Sequence, residues 1–493
     1  GHEGGYTGFA LDATGRLKAG VNHIAVQVDN RASTVKWPPC LGYFNYGGIH
    51  RGVSLEIADG PILDDVRLAA VPAGKGWELA VTAATAGGRP DRLSVRVACA
   101  GRTETGRVGP GGAAVLRLAV PDAPSWSPER PRLVPVSVEL LSGGAAVDRR
   151  EFRFGFRTVA MGGRRVLLNG EPYPLKGLCY VYDSETTGLV MTPERIAGDV
   201  RLMKEAGCNA VRCHYPMDEA FYAACDAAGL LVWVEPPVYC YHPGDAETGT
   251  RFADPAWLAL ARTMAREMIA VARNHPSVAI YSVGNECNTR NPEAKAFFEA
   301  LAGAVRREDP TRLVSYAALY GIVGPIADLV DVLGVNSYWG WYDKVFGGKG
   351  LAPKGGGRGG VRREPIDLSK MREMLDGVLK EKRDLALFLT EFGADSVPGN
   401  RSASRDLWSE EYHADLLREV LALAKEYPQI AGTFPFCFSD YRDPSKVPNG
   451  YWNELNLKGL VDYRRRKKRA FEAVREAYAP GRGRSRARTG REG

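Results

Sequence analysis

No stretch of this sequence approaches the ~18 apolar residues that a membrane-spanning helix needs, so no membrane partner is expected. Cysteine occurs nine times, an odd number, scattered and without any Cys-x-x-Cys spacing. Neither a disulfide framework nor a zinc site is indicated. Core thiols are the expectation, and no metal or other cofactor is called for. Cys213 stands beside His214, but a ligand set needs more members than that pair. No secretory signal is visible. The chain opens at GHEGGYTGF with neither methionine nor a helical lead-in, so residues are expected upstream and the compartment stays open.

Positive charge is in excess but confined. The net charge is +7, and the tail PGRGRSRARTGREG (Pro480 to Gly493) holds five Arg and one Glu, which gives +4 of it. The remaining basic run, RRRKKR (Arg464 to Arg469), reads as a solvated helix start. Nucleic-acid recognition needs basic residues interleaved with a recognition fold, so no nucleic-acid partner is expected. Residues 480–493 read as a disordered basic tail.

At 493 residues the chain is too long for one ordinary core, and about two to four domains is the natural expectation. Residues 1–58 carry alternating segments, NHIAVQVDN and GVSLEIADG, bounded by turn residues. That is too little strand to close a sandwich alone, and it reads as the second half of one. Over 59–158 short alternating segments recur between Gly/Pro turns: LDDVRLAAV, WELAVTAAT, RLSVRVACA, AAVLRLAV and LVPVSVELL. This spacing predicts an immunoglobulin-like β-sandwich.

From 159 to 479 the texture changes to apolar strands alternating with amphipathic helices. In TPERIAGDVRLMKEAG, Thr192 is the N-cap, Pro193 the first helical residue and Gly207 the stop, with Ile196, Val200 and Met203 on one face. Strands are expected near 175, 209, 230, 278, 313, 331, 386 and 430. Eight such β/α units in this length predict a (β/α)8 barrel. A doubly wound sheet is the runner-up, but LKGLCYVYDS offers no Gly-rich phosphate turn.

In a barrel the chemistry sits at the C-terminal ends of the strands. Those ends supply Arg212 and His214, Glu235, Asn285 and Glu286, Asn336 and Tyr338, and Glu391. Glu286, in AIYSVGNECN, and Glu391, in LTEFG, end strands four and seven, which face one another across a barrel. Each alone reads equally as a rim carboxylate in a salt bridge. Together they suit glycoside hydrolysis, retaining if the carboxyl groups are about 5 Å apart and inverting if roughly 6.5–9.5 Å. Glu235, before Pro236-Pro237, is expected to be structural or orienting. Asn285 can bond a sugar 2-hydroxyl or merely form the turn. Tyr338 can hold the nucleophile ionised or merely fill space. Trp339, Trp341 and Tyr342 are expected to pave a sugar platform, in part.

These motifs together resemble glycoside hydrolase family 2, and within it the β-glucuronidases. HEGGYTGF and YFNYGGIHR are similar to the family's sugar-binding jelly roll. WSPERPRLVPVSVEL and FGFRTV are similar to its middle domain, and LLNGEPYPLKG, NAVRCHYP, YSVGNE, NSYWGWY and LTEFGAD to its barrel. The resemblance implies that Glu286 is the acid/base, Glu391 the nucleophile, and the outcome retention. In NELNLKG, Asn456 and Lys458 match the family's Asn-x-Lys motif, which implies contact with a sugar carboxylate. An ammonium and an amide donor suit that anion, although a solvated Lys in a connecting loop would read alike. His214, Arg212, Asn336, Trp341 and Tyr342 complete the expected substrate contacts. A glycoside with a terminal uronate, no cofactor and a homo-oligomeric assembly are the accompanying expectations.

The sequence departs from the family pattern in places. The usual Asp before FNY is Gly42, an expected Arg before Asn456 is Trp452, RCHYP is one residue short, and the His-Glu-Asp text is absent from GLCYVYDS. The C4 epimer and the aglycone are therefore open, and a neutral-sugar β-galactosidase and a non-catalytic carbohydrate-binding protein are the alternatives. The basic, Gly-rich stretch Asp343 to Glu364 is expected to be a rim loop that recruits acidic saccharides.

Overall fold

The computed structural model describes residues 1–31, 37–38, 43–239, 251–345, 366–382, 385–444, 446 and 454–479. Gly42, Trp452, the basic tail and nearly all of the rim loop fall outside the described residues.

The amino-terminal segment corrects one expectation. The described residues of 1–60 contain no strand, so neither 22–30 nor 52–60 joins a ladder. Val21, Ile24, Val26, Val28, Val53, Leu55 and Ile57 lie exposed. Alternation supplies an apolar face, but a strand is held by cross-strand partners, and among the described residues none is there. The segment instead lies along the barrel. Thr7 donates to Glu267 at 2.6 Å, Trp37 stacks on Trp257 at 3.7 Å between ring centroids, and Tyr46 donates to Asp183 at 2.9 Å.

The next unit is a two-sheet sandwich. One antiparallel sheet joins Ile62–Ala73, Gly76–Ala86 and Ala113–Val120; the other joins Arg102–Arg107, Leu93–Cys99, Val134–Ser142 and Ala145–Phe154, in those orders. Alternation explains the inner faces. Along Val134–Ser142, Val134, Val136, Val138 and Leu140 are buried while Pro135 is exposed. The sandwich docks on the N-terminal face of the barrel, away from the strand ends that carry the chemistry. There Arg157 donates to the carbonyl of Pro276 at 2.9 Å, and Asn274 accepts from the amide of Leu68 at 2.9 Å.

The barrel strands start almost where the sequence put them. They are Leu175–Lys176 with Cys179–Val181, Ala210–His214, Leu231–Val234, Val278–Asn285, Leu313–Leu319, Val332–Asn336, Ala386–Glu391 and Ile430–Thr433, all parallel. The first strand is split: its start pairs with strand eight (Leu175 with Gly432) and its end with strand two (Cys179 with Arg212). This closes the sheet and excludes the doubly wound alternative. The helix Pro193–Glu205 begins on Thr192, whose side chain accepts from the Arg195 amide, and buries Ile196, Val200 and Met203 against the strands. Each such side chain contributes roughly 1.5–3 kcal/mol of burial. In the barrel interior Trp233 meets Phe388 and Phe434 edge to face, with ring centroids 5.5 and 5.6 Å away. No helix of the described residues is long and apolar enough to cross a membrane.

Candidate active site

Strand geometry gathers the polar residues. Arg212 and His214 lie two apart on strand two, so both point inward, and both are buried. Arg212 donates to Oε1 of Glu391 at 2.8 Å, Oε2 of Glu235 at 3.2 Å, Oδ1 of Asn285 at 2.9 Å and the Thr390 carbonyl at 3.4 Å. His214 packs Nδ1 against Glu235 Oε1 at 2.7 Å and Nε2 against Glu391 Oε1 at 3.4 Å. Glu235, expected to be structural or orienting, is the counter-ion of both cations.

Glu286 follows strand four with φ of 52°, a backbone region that costs a non-glycine residue on the order of 1 kcal/mol and clusters at functional sites. Its amide donates to the Ala317 carbonyl at 2.9 Å, and its Oε1 accepts from Asn336 Nδ2 at 2.8 Å. That same Nδ2 also reaches Asn285 Oδ1 at 2.9 Å, and Thr390 fixes the Asn336 oxygen at 2.7 Å. Tyr338 donates its phenol to Glu391 Oε2 at 2.7 Å.

The two candidate carboxyls differ in acidity. Burial, and then the charge of Glu391, pushes Glu286 up to about 8. Burial pushes Glu391 the same way, but His214, Arg212 and the Tyr338 hydroxyl outweigh it and hold Glu391 at about 2. Glu235 is lowered, since Arg212 and His214 outweigh its burial. His214 is raised, since Glu235 outweighs burial and Arg212. Two cations therefore face two carboxylates, and Glu286 is left protonated beside them. Two carboxyls whose surroundings drive their acidities apart are the mark of an acid and base assignment.

A second buried cluster adjoins the first across Tyr338, whose ring lies 5.0 Å from that of Tyr342. Lys458 pairs with Asp395 at 2.5 Å and donates to the Tyr342 hydroxyl at 2.9 Å. Lys446 donates to the same hydroxyl at 3.0 Å. Asn456 donates to Tyr441 at 3.0 Å and to Asp443 at 3.3 Å. Trp341 corrects an expectation. It is fully buried, its indole N–H on Asp395 at 2.8 Å and its ring against Trp408, so it anchors the cluster and paves no sugar platform. Half-buried Trp339 carries Lys370 over its ring at 4.8 Å. Sequence reasoning missed Asp395, Lys446 and Thr390. Asp395 had a signal: it closes LTEFGAD, an acid in apolar text just beyond Glu391.

A closed parallel barrel with two carboxyls of opposed acidity at its C-terminal rim, Glu391 buried and Glu286 half-buried, is a glycosidase architecture. Residues 159–481 match the profile of the glycosyl hydrolases family 2 TIM barrel domain. The chain belongs to glycoside hydrolase family 2, and it is a glycoside hydrolase. It is 26% identical over 520 residues to a β-glucuronidase of Paenibacillus borealis, covering 97% of this chain and 80% of that one. It is 26% identical over 522 residues to the β-glucuronidase of Homo sapiens, covering 97% and 74%. Among solved structures, a GH2 β-galacturonidase from Eisenbergiella tayi bound to galacturonate superposes with a TM-score of 0.79 at 27% identity, over 92% of this chain and 78% of that one.

Proposed function

We propose that the protein is a retaining, exo-acting β-glycosidase that removes terminal β-D-glucuronate or a related uronate. The observation that carries the chemistry is the split in acidity between Glu286, at about 8, and Glu391, at about 2. Protonated Glu286 gives its proton to the glycosidic oxygen as that oxygen leaves C1. Ionised Glu391 attacks C1 from the opposite face and forms a covalent glycosyl-enzyme. Glu286, now ionised, takes a proton from water, and the oxygen of that water attacks C1 and releases Glu391. Arg212 and Tyr338 keep one Glu391 conformation ready for attack. Asn285, whose Oδ1 accepts from Arg212 and Asn336, directs its amide hydrogens to the sugar 2-hydroxyl.

The uronate reading rests on the buried cations of the second cluster, together with the relatives' activities. A carboxylate is met there by ammonium groups already desolvated, where charge-assisted bonds are strong. Asn456 positions Tyr441 and the Lys458 backbone as much as it would touch the sugar. By the same family reading, residues 59–158 form the immunoglobulin-like domain.

One observation favours a second reading. Asp395 compensates Lys458 at 2.5 Å before any ligand enters, which is compatible with a neutral sugar such as a β-galactoside. A panel of 4-nitrophenyl β-glucuronide, galacturonide, glucoside and galactoside separates the two. A uronide should have the highest kcat/KM, and NMR should show the β-anomer as first product. Faster turnover of a neutral glycoside, or an α-anomer first, overturns the proposal.

A further inference from the structure

Where the sandwich meets the base of the barrel, the protein holds a cavity of about 180 Å³. It lies on the opposite face of the barrel from the strand ends that carry Glu286 and Glu391. Two arginines, Arg157 and Arg312, line it, and no Asp or Glu does. Ala70, Thr158 and Thr311 on its wall are only half-buried, so the cavity opens to solvent. One water needs only ~10–15 Å³ of such space, so a small polyatomic ion has room.

Arg157 is 5% exposed and has no ion-pair partner among the described residues. Its Nε donates to the Pro276 carbonyl at 2.9 Å and its Nη2 to the Val278 carbonyl. Its Nη1 makes no hydrogen bond among the described residues, and it is not sealed from water. That nitrogen therefore faces the cavity. The acids whose charge reaches Arg157 are engaged elsewhere. Asp309 pairs with Arg312 at 3.1 Å and accepts from the Thr311 and Tyr281 hydroxyls. Asp226 pairs with His275 at 2.6 Å and accepts from the Ser277 amide. Burial and the charge of Arg312 outweigh Asp309, Tyr281 and Asp226, and push the Arg157 guanidinium down to about 9. A buried cation without a counter-ion is costly.

Two more donors border the same space. The Thr158 hydroxyl makes no hydrogen bond among the described residues. Opposite it, Ile62–Ala73 is an edge strand of its sheet, and Leu68 turns its amide outward to Asn274 at 2.9 Å. Residues two apart on such a strand turn their amides to the same edge, so the Ala70 N–H points that way too. Arg312 adds charge but no spare bond. Its guanidinium is spent on Asp309, Thr311 and the carbonyls of Arg273, His275 and Val278.

We propose that this cavity binds a small tetrahedral oxyanion, phosphate or sulfate, through Arg157, Thr158 and the Ala70 amide. A guanidinium presents paired N–H groups that match an oxyanion edge. The donors come from separate elements, so oxygens pointing in several directions serve them better than a planar carboxylate or a chloride. The anion supplies the counter-charge that Arg157 lacks. It also ties the sandwich edge to residues 273–278, which lead into the strand ending beside Glu286.

The test is calorimetric titration of inorganic phosphate, sulfate and acetate into the full chain, at an ionic strength held constant with chloride. Wild type is compared with Arg157→Met, Thr158→Val and Lys458→Met, and thermal melting checks each fold. Wild type should bind phosphate or sulfate saturably at this site and melt higher when it is occupied. Arg157→Met should weaken that binding roughly 10- to 100-fold, the size of one charge-assisted hydrogen bond. Lys458→Met, which leaves the cavity intact, should bind as wild type does. No saturable binding by wild type, or equal affinity in Arg157→Met, overturns the proposal. Binding lost in Lys458→Met and kept in Arg157→Met places the anion in the active site and overturns it too. Acetate bound as tightly as phosphate overturns the tetrahedral assignment. If Arg157→Met melts too early to titrate, Thr158→Val decides: weaker affinity supports the site, and unchanged affinity refutes it.

Discussion

Tyr338 and Glu391 are joined by a 2.7 Å hydrogen bond from the phenol to Oε2, while Arg212 holds Oε1 at 2.8 Å. The two contacts fix the carboxylate at both oxygens and favour its ionised form. Tyr338→Phe removes one of them without changing the ring. A hydrogen bond to a charged group contributes about 1.5–3 kcal/mol, so kcat should fall roughly 10- to 100-fold. Because Tyr338 helps hold Glu391 down, the acidic limb of the pH profile should also move up. A variant with an unmoved acidic limb would show that the phenol does not act on Glu391.

Removal of each carboxyl separates their roles. Glu391→Ala should lose roughly 10⁴-fold or more of kcat, whereas Glu286→Ala should lose roughly 10²- to 10⁴-fold, least for substrates with good leaving groups. Added azide distinguishes the two variants. In Glu391→Ala it can attack C1 directly from the vacated side and give the α-glycosyl azide. In Glu286→Ala it intercepts the glycosyl-enzyme and gives the β-azide. The reverse stereochemistry would exchange the assignments.

The active form has Glu286 protonated and Glu391 ionised, so activity should span the interval between about 2 and about 8. Activity should fall below the first value as Glu391 gains a proton and above the second as Glu286 loses one. The same shift has a consequence for stability. Between the ordinary 4.5 and about 8, the folded state keeps a Glu286 proton that the unfolded state has released. Stability should therefore decline as pH rises through that window and level off above it. Glu286→Gln should abolish the basic limb and flatten this part of the stability profile. Urea titrations at several pH values check the second point, and a Gln variant with an unchanged slope would refute it.

Legibility in the sequence followed locality. The barrel strands and the pair Glu286 and Glu391 were readable because strand period and strand-end position are local patterns, and a closed barrel turns them into proximity. Asp395 and Lys446 were not singled out, because their place follows from how two loops meet Tyr342, which no period encodes. Trp341 misled because an aromatic-rich run looks the same whether its rings face a sugar or the core. The segments 22–30 and 52–60 misled for the opposite reason. Their alternation is genuine, but a strand is a relation between two segments, and none of the described residues supplies the second.

Glu235 gives the last prediction, one about folding as much as chemistry. It is the fully buried partner of two cations: Arg212 at 3.2 Å and His214 at 2.7 Å. Removing its charge leaves Arg212 and His214 sharing Glu391 alone. An uncompensated buried charge costs about 3–5 kcal/mol, so Glu235→Gln should lower unfolding stability by that order in urea titrations. His214 owes its raised affinity for a proton chiefly to Glu235. In the variant His214 should release that proton at lower pH, and Glu391 would then lose one of the neighbours that keep it ionised. Activity should fall with an acidic limb shifted upward, and NMR titration of the imidazole should report the change directly. A variant as stable as wild type, with His214 still protonated at neutral pH, would show that Glu235 is a bystander.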